Sequence, residues 1–244
     1  MYFMGNPNKH SDNQEPISDL IIFYPISDIL IPFFHLLGFI PNHLTILSTF
    51  CTFYSVYLYR ISNQYSYLFY FFGYLFDAMD GRMARKYNQS SIFGMILDLV
   101  SDNITNIPLF IVLIEKSLYS YFTNYIIGIF KFFLLLTILV FVFLFGVTFG
   151  MNEAYNCYLK TKNDNFYLYK KDIIKKSVYN SSYISDLYLL INKSTYYSYR
   201  LFFEDELNET NKINLIRNII KYKEIGSGNL NLYVLLVMLL ISNL

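Results

Sequence analysis

Asp77-Ala-Met-Asp80-Gly81-Arg82-Met-Ala84-Arg85, then eight residues, then Gly94-Met-Ile-Leu-Asp98-Leu-Val-Ser-Asp102 is the stretch on which the fold turns. An apolar run, Tyr65 to Met79, leads into it. A second, Ile92 to Ile114, carries Asp98 and Asp102 in its first half. Asp77 and Asp80 stand three apart and Asp98 and Asp102 four apart, so each pair occupies one face of its helix. Two such helices, antiparallel across a short connection, bring four carboxylates to one depth. Carboxylates so grouped repel one another, and charge at membrane depth is costly. A Mg²⁺ or Mn²⁺ site, single or double, resolves both problems with hard oxygen ligands and suits the binding of a pyrophosphate. A single Asp at a helix end is most often just solvated. Four in two facing pairs, interleaved with Arg85 and the small residues Gly81, Ala84 and Gly94, are not explained that way.

The rest of the chain suits a bilayer. Of the 244 residues, 55% are hydrophobic and 20% aromatic, and only 15% are charged, against roughly a quarter in soluble domains. Leu20 to Phe39 is apolar but interrupted by Pro25, Asp28, Pro32 and His35, which predicts a helix lying in the interface. Pro41-Asn42 predicts a helix start with Asn42 as N-cap, and His43 to Ile61 a first span. Phe122 to Val147 is the strongest run, with Lys131 its only charge. The expected organisation is a polar tail (1–17), a membrane catalytic core (18–150), a polar cytoplasmic segment (151–229) and a C-terminal apolar segment (230–244). The third of these is helical around Tyr183 to Ile191 and Lys212 to Lys223. The fold class is an all-α polytopic membrane protein, a bundle of about five to six membrane helices with an N-terminal interfacial helix.

By the positive-inside tendency, the connection bearing Arg82, Arg85 and Lys86 faces the cytosol, as does the Lys-rich segment after Gly150. A short Glu115-Lys116 turn then lies opposite. A net charge of +1 excludes a polybasic nucleic-acid surface. Cys51 and Cys157 lack metal or redox spacing. Asn180, Asn192 and Asn208 fit the glycosylation pattern, but the cytosolic side argues against its use.

The eight fixed positions from Asp77 to Asp102 resemble the signature of the CDP-alcohol phosphotransferase family at every required place. The resemblance implies a six-helix membrane core whose site opens to the cytosolic face, in the endoplasmic reticulum or another endomembrane. It implies Asp77, Asp80, Asp98 and Asp102 as metal ligands, with Asp102 also the general base. Gly81, Ala84, Arg85 and Gly94 would line the pocket for a CDP-linked donor, and CMP would leave when a small alcohol or diacylglycerol acceptor attacks. The run Arg85 to Ser91 is locally similar to eukaryotic phosphatidylinositol synthases, which would set Ser91 against the donor.

Pro41-Asn42-His43-Leu44-Thr45 is more like the aminoalcohol phosphotransferases, and Asn103 stands where the inositol enzymes commonly carry Arg. Inositol transfer is the favoured expectation. Aminoalcohol, glycerol-phosphate and serine transfer are the alternatives within the family, and a catalytically silent scaffold or a cation channel outside it. The family expects two more spans after Val147, where this chain offers a polar stretch and one short apolar tail. Unusually polar last helices, or assembly with a partner such as a second copy in a homodimer, would complete the core.

Overall fold

The computed structural model describes residues 15–177, 179, 183–203, 207, 212–225 and 227–243. Asn180, Asn208 and most of the expected N-terminal tail lie outside them. A π-helical turn, Asp19–Phe23, leads into α1 (Tyr24–Leu36). There follow α2 (Pro41–Arg60), α3 (Ser66–Lys86), α4 (Ile92–Thr123), α5 (Tyr125–Thr161), α6 (Phe166–Lys175), α7 (Tyr183–Arg200), α8 (Lys212–Tyr222) and α9 (Ser227–Asn243). No strand occurs among the described residues.

Four runs are long and apolar enough to cross a membrane: Asp19–Leu36, Ile92–Tyr119, Tyr125–Thr161 and Lys212–Ile241. α2 and α3 reach crossing length at 20 and 21 residues. They are less apolar because their inner faces carry Ser, Thr and Asp. Few residues in the most apolar part of α5 are fully buried, and one side of it, including Phe132, Phe133, Leu136 and Leu139, is exposed, as in a helix solvated by lipid. Lys131, the one charge in that run, is instead turned inward and is 5% exposed. The chain is thus a polytopic bundle of membrane helices.

Pro25 falls in the first turn of α1 and Pro32 inside it, and the helix continues through both. Two local expectations are corrected. Ile40, not Asn42, is the N-cap of α2: Pro41 takes the first helical position, where its missing N–H costs nothing. His43 closes the start, its N–H donating to Ile40 O (3.0 Å) while Ile40 N–H donates to His43 Nδ1 (3.4 Å). Asn42 is left free to face a cavity. Glu115 and Lys116 form no turn: α4 runs through them and the chain reverses at Asn124, whose side chain caps α5. Arg60 pairs with Glu115 (3.2 Å), and Lys116 donates to Ser62 (2.8 Å), binding the far ends of α2 and α4.

α2 lies between α3 and α4 and packs on both. Gly73 permits the close approach to α3, since a Cβ there would collide with Thr52 Oγ1 and lie 3.3 Å from Thr52 N. α1 runs along α3, held at three heights. Tyr74 donates to Asp19 (2.8 Å), Arg82 to Asp28 (2.7 Å), and His35 stacks on Tyr87 at 3.7 Å.

The polar region after Gly150 completes the bundle. α5 continues through Gly150, where the lack of a Cβ admits Tyr199 and Thr195 of α7. Tyr188 of α7 packs on Ile96 and Val100 of α4. α9 enters the core with Val237 and Met238 against Val56, Tyr59 and Leu113. Inside this shell Asp164 accepts from Arg200 (3.0 Å), Tyr199 (3.2 Å) and the Leu207 N–H (3.1 Å), fixing the α5–α6 turn to the end of α7. Asn192, one of the sequon residues, is 1% exposed and bonded to Lys170 and Tyr188 O, out of reach of glycosylation in this fold.

Gly73→Leu is expected to lower the thermal midpoint in detergent by roughly 2–10 °C, the usual scale for overpacking in a chain of this size. Labelling of buried Cys51 and Cys157 by a thiol-reactive fluorophore reads the transition, and an unchanged midpoint would show that α2 and α3 do not meet at this glycine.

Candidate active site

The connection that aims the two acidic helices at one another is built locally. α3 ends in a Schellman turn: Gln89 N–H donates to Ala84 O (2.8 Å) and Asn88 N–H to Arg85 O (3.4 Å), with Asn88 at φ +55. Asn tolerates that left-handed geometry better than most residues. Two residues later Ser91 caps α4, its Oγ accepting from Gly94 N–H at 2.9 Å. The Asn88-Gln89 pair and Ser91 therefore have a structural reason for being where they are, whatever else they touch. Gly94 lets the start of α4 meet the start of α2, because a Cβ there would sit 2.9 Å from Asn42 Oδ1 and 3.1 Å from Ser91 Oγ.

Asp77, Asp98 and Asp102 come together, one carboxylate oxygen from each lying within 4.8 Å of the others. All three are half-buried. Asp80 is not part of this triple. It is 5% exposed and accepts a 2.5 Å hydrogen bond from Thr45 Oγ1 of α2. Thr45 was noticed in the sequence only as part of a helix start, and its spacing from Pro41 is the signal that could have marked it.

The acids stand between two cavities. The first, about 220 Å³, is bordered by Asp80 and Asp98 and by Gly81, Ala84, Arg85, Ser91 and Gly94, so all five residues expected to line a donor pocket surround one space. Arg85 lies over Gly81: a Cβ on that glycine would approach Nη1 to 3.1 Å and press on the guanidinium. The second cavity, about 400 Å³, is bordered by Asp77 and Asp102 and is enclosed by α2, α3, α4, α5, α7 and α9. Its polar lining includes Ser48, Thr52, Tyr70, Asn103, Asn106 and Asn231, with no Lys or Arg among the described residues. Tyr70 donates to Asn231 at 2.7 Å. Only Asn103 of the three amides had drawn notice in the sequence, because Asn106 and Asn231 belong to no motif and meet only in the fold.

Closely grouped hard oxygens, with no thiolate or imidazole among them, fit Mg²⁺ or Mn²⁺ in preference to a softer metal. Such a cation would also offset the mutual repulsion of the group.

The sequence model for CDP-alcohol phosphatidyltransferases matches residues 38–161, just over half of the chain. This chain belongs to the CDP-alcohol phosphatidyltransferase family. The matched part of this family member runs from before α2 to the end of α5 and contains all four acids, while α1, α7 and α9 fall outside it. Family membership supports a transferase. Two relatives from Arabidopsis thaliana are similar over short stretches. One, a probable CDP-diacylglycerol--inositol 3-phosphatidyltransferase 2, is 48% identical over 46 residues, 19% of this chain and 20% of the relative. The other, CDP-diacylglycerol--inositol 3-phosphatidyltransferase 1, is 46% identical over 44 residues, 18% of this chain and 19% of the relative. The matched stretch thus spans about a fifth of the length of each relative. No solved structure matches the chain significantly.

Mn²⁺ at a hundredfold excess over its dissociation constant is expected to stabilise the wild type by about 2.7 kcal/mol. The accompanying rise in thermal midpoint should vanish in Asp98→Asn. An equal rise in both proteins would place the ion elsewhere.

Proposed function

We propose that the chain transfers a phosphatidyl group from CDP-diacylglycerol to inositol and releases CMP. The observation that carries this reading is the division of the acids: Asp80 and Asp98 border one cavity, Asp77 and Asp102 the other. A transfer needs donor and acceptor on opposite sides of one reacting phosphorus, and this wall of carboxylates separates two spaces of suitable size. The first cavity suits the CDP portion. Gly81, Ala84 and Gly94 leave room for a flat base, Arg85 offers its fork of donors to phosphate, and Ser91 keeps its hydroxyl at the rim.

Asp77, Asp80, Asp98 and Asp102 would hold Mg²⁺ or Mn²⁺. When bound, that ion supplies positive charge against the pyrophosphate. Asp102, facing the second cavity, takes the proton of the inositol hydroxyl. The freed oxygen forms a bond to the phosphatidyl phosphorus while the bond from that phosphorus to the oxygen of CMP breaks, and CMP departs with the electron pair. Positioning and electrostatics account for the acceleration.

Inositol is favoured by two observations. Both relatives are named for it, and the second cavity offers hydroxyls and amides but, among the described residues, no cationic side chain. Glycerol 3-phosphate would bring a dianion with no partner there, whereas a neutral polyol needs only hydrogen bonds. The site faces the cytosol in this proposal, in the endoplasmic reticulum or another endomembrane, on the basis of Arg82, Arg85, Lys86 and the Lys-rich stretch after Gly150.

Membranes carrying the chain are expected to make phosphatidylinositol from CDP-diacylglycerol and labelled inositol. Parallel arms with glycerol 3-phosphate, with serine, and with CDP-choline plus diacylglycerol should give no lipid product. Product in one of those arms instead would reassign the acceptor. Asp102→Asn should cut the rate by about 10²–10⁴-fold, and undiminished transfer would remove Asp102 as the base.

A further inference from the structure

Helix α8 has two faces, and the described residues pack on only one of them. Leu215 and Ile219, each 2% exposed, pack against Met151, Ala154 and Tyr158 of α5. On the outer side Ile213 and Ile220 are 62% and 43% exposed. Beside them stand the exposed cations Arg217 and Lys221, with Lys212 at the start of the helix and Lys223 just past its end. No acidic residue occurs from Lys212 to Lys223, and Glu224 just beyond pairs with Lys223 (3.9 Å), which leaves Arg217 and Lys221 as the outward cations. The turn Lys223–Ile225 then leads towards apolar α9, part of a run able to cross a membrane.

A face meant only for water has no use for two exposed isoleucines, and a face meant only for hydrocarbon would not carry Arg217 and Lys221 beside them. Isoleucine flanked by Arg and Lys matches the boundary between acyl chains and headgroups, where the side chains divide between the two layers. Two exposed cations beside a membrane helix attract anionic headgroups.

We infer that the outward face of α8 lies in the membrane interface and gathers anionic phospholipid. Ile213 and Ile220 dip among the acyl chains, while Arg217 and Lys221 bind the headgroup phosphates and carboxylates above them. The site is separate from the acidic cluster and does not depend on which alcohol the chain accepts.

The absence of Trp from the chain makes the test clean. Ile220→Trp gives the full-length protein a single indole, which is placed in phosphatidylcholine nanodiscs containing a fixed fraction of either brominated phosphatidylserine or brominated phosphatidylcholine. Quenching is expected with both, stronger by at least about twofold with the brominated serine lipid, as attraction by Arg217 and Lys221 requires. The excess should disappear in an Arg217→Gln/Lys221→Gln background and at high salt. Equal quenching by the two lipids would overturn the anionic preference, and no quenching by either would overturn the interfacial placement. Ile213→Trp is the second reporter, used with the same outcomes should Ile220→Trp not fold.

Discussion

Like charges held together inside a helical bundle impose the constraint from which the rest of this structure follows. At about 5 Å and an effective dielectric constant near 20, each pair of ionised carboxylates repels by on the order of 3 kcal/mol. Asp77, Asp98 and Asp102 form three such pairs. A bundle can keep that arrangement only if protons or a cation offset the charge, because membrane depth excludes most of the water that would otherwise help. Tight steering of α3 and α4 sets up the repulsion. The same steering makes a high-field site for a cation and for the phosphates it would bind.

Small residues and short polar bridges make the steering possible. α2 acts as the wedge: Gly73 admits Thr52, Gly94 admits Asn42, and Thr45 holds Asp80. From outside, α1 grips α3 through Asp19–Tyr74 and Asp28–Arg82. Arg82 is nearly fully buried, over the ring of Tyr24 at 4.1 Å. It neighbours Gly81 in the chain but borders neither cavity, and its bond to Asp28 ties α3 to α1. The closing helices, α7 and α9, then seal the second cavity behind the acids.

The sequence revealed the acidic pairs because helical periodicity turns spacing of three and four directly into a shared face. It also revealed the apolar spans, since length and composition suffice for those. It could not show that Asp80 would lean on Thr45 and leave the other three together, because that depends on the rotation of α2. The glycine and alanine positions were legible as small, but which neighbour each admits was not. Ser91 and Asn88 illustrate a different limit: residues suggestive of a substrate motif also satisfy the backbone at the α3–α4 turn. The part after Gly150 read as polar because α7 buries tyrosines and an Asp–Arg network, which score poorly as membrane helix even while packing on α4 and α5.

In the proposed transfer, a cation held by the carboxylates would also meet the donor's phosphates. Pulsed electron paramagnetic resonance of Mn²⁺ bound to the purified chain addresses that directly. With CDP-diacylglycerol present, the account predicts phosphorus hyperfine coupling to the Mn²⁺ in the wild type and its loss in Asp98→Asn. Mn²⁺ that binds the wild type without any phosphorus coupling, or a coupling that survives in Asp98→Asn, would contradict it.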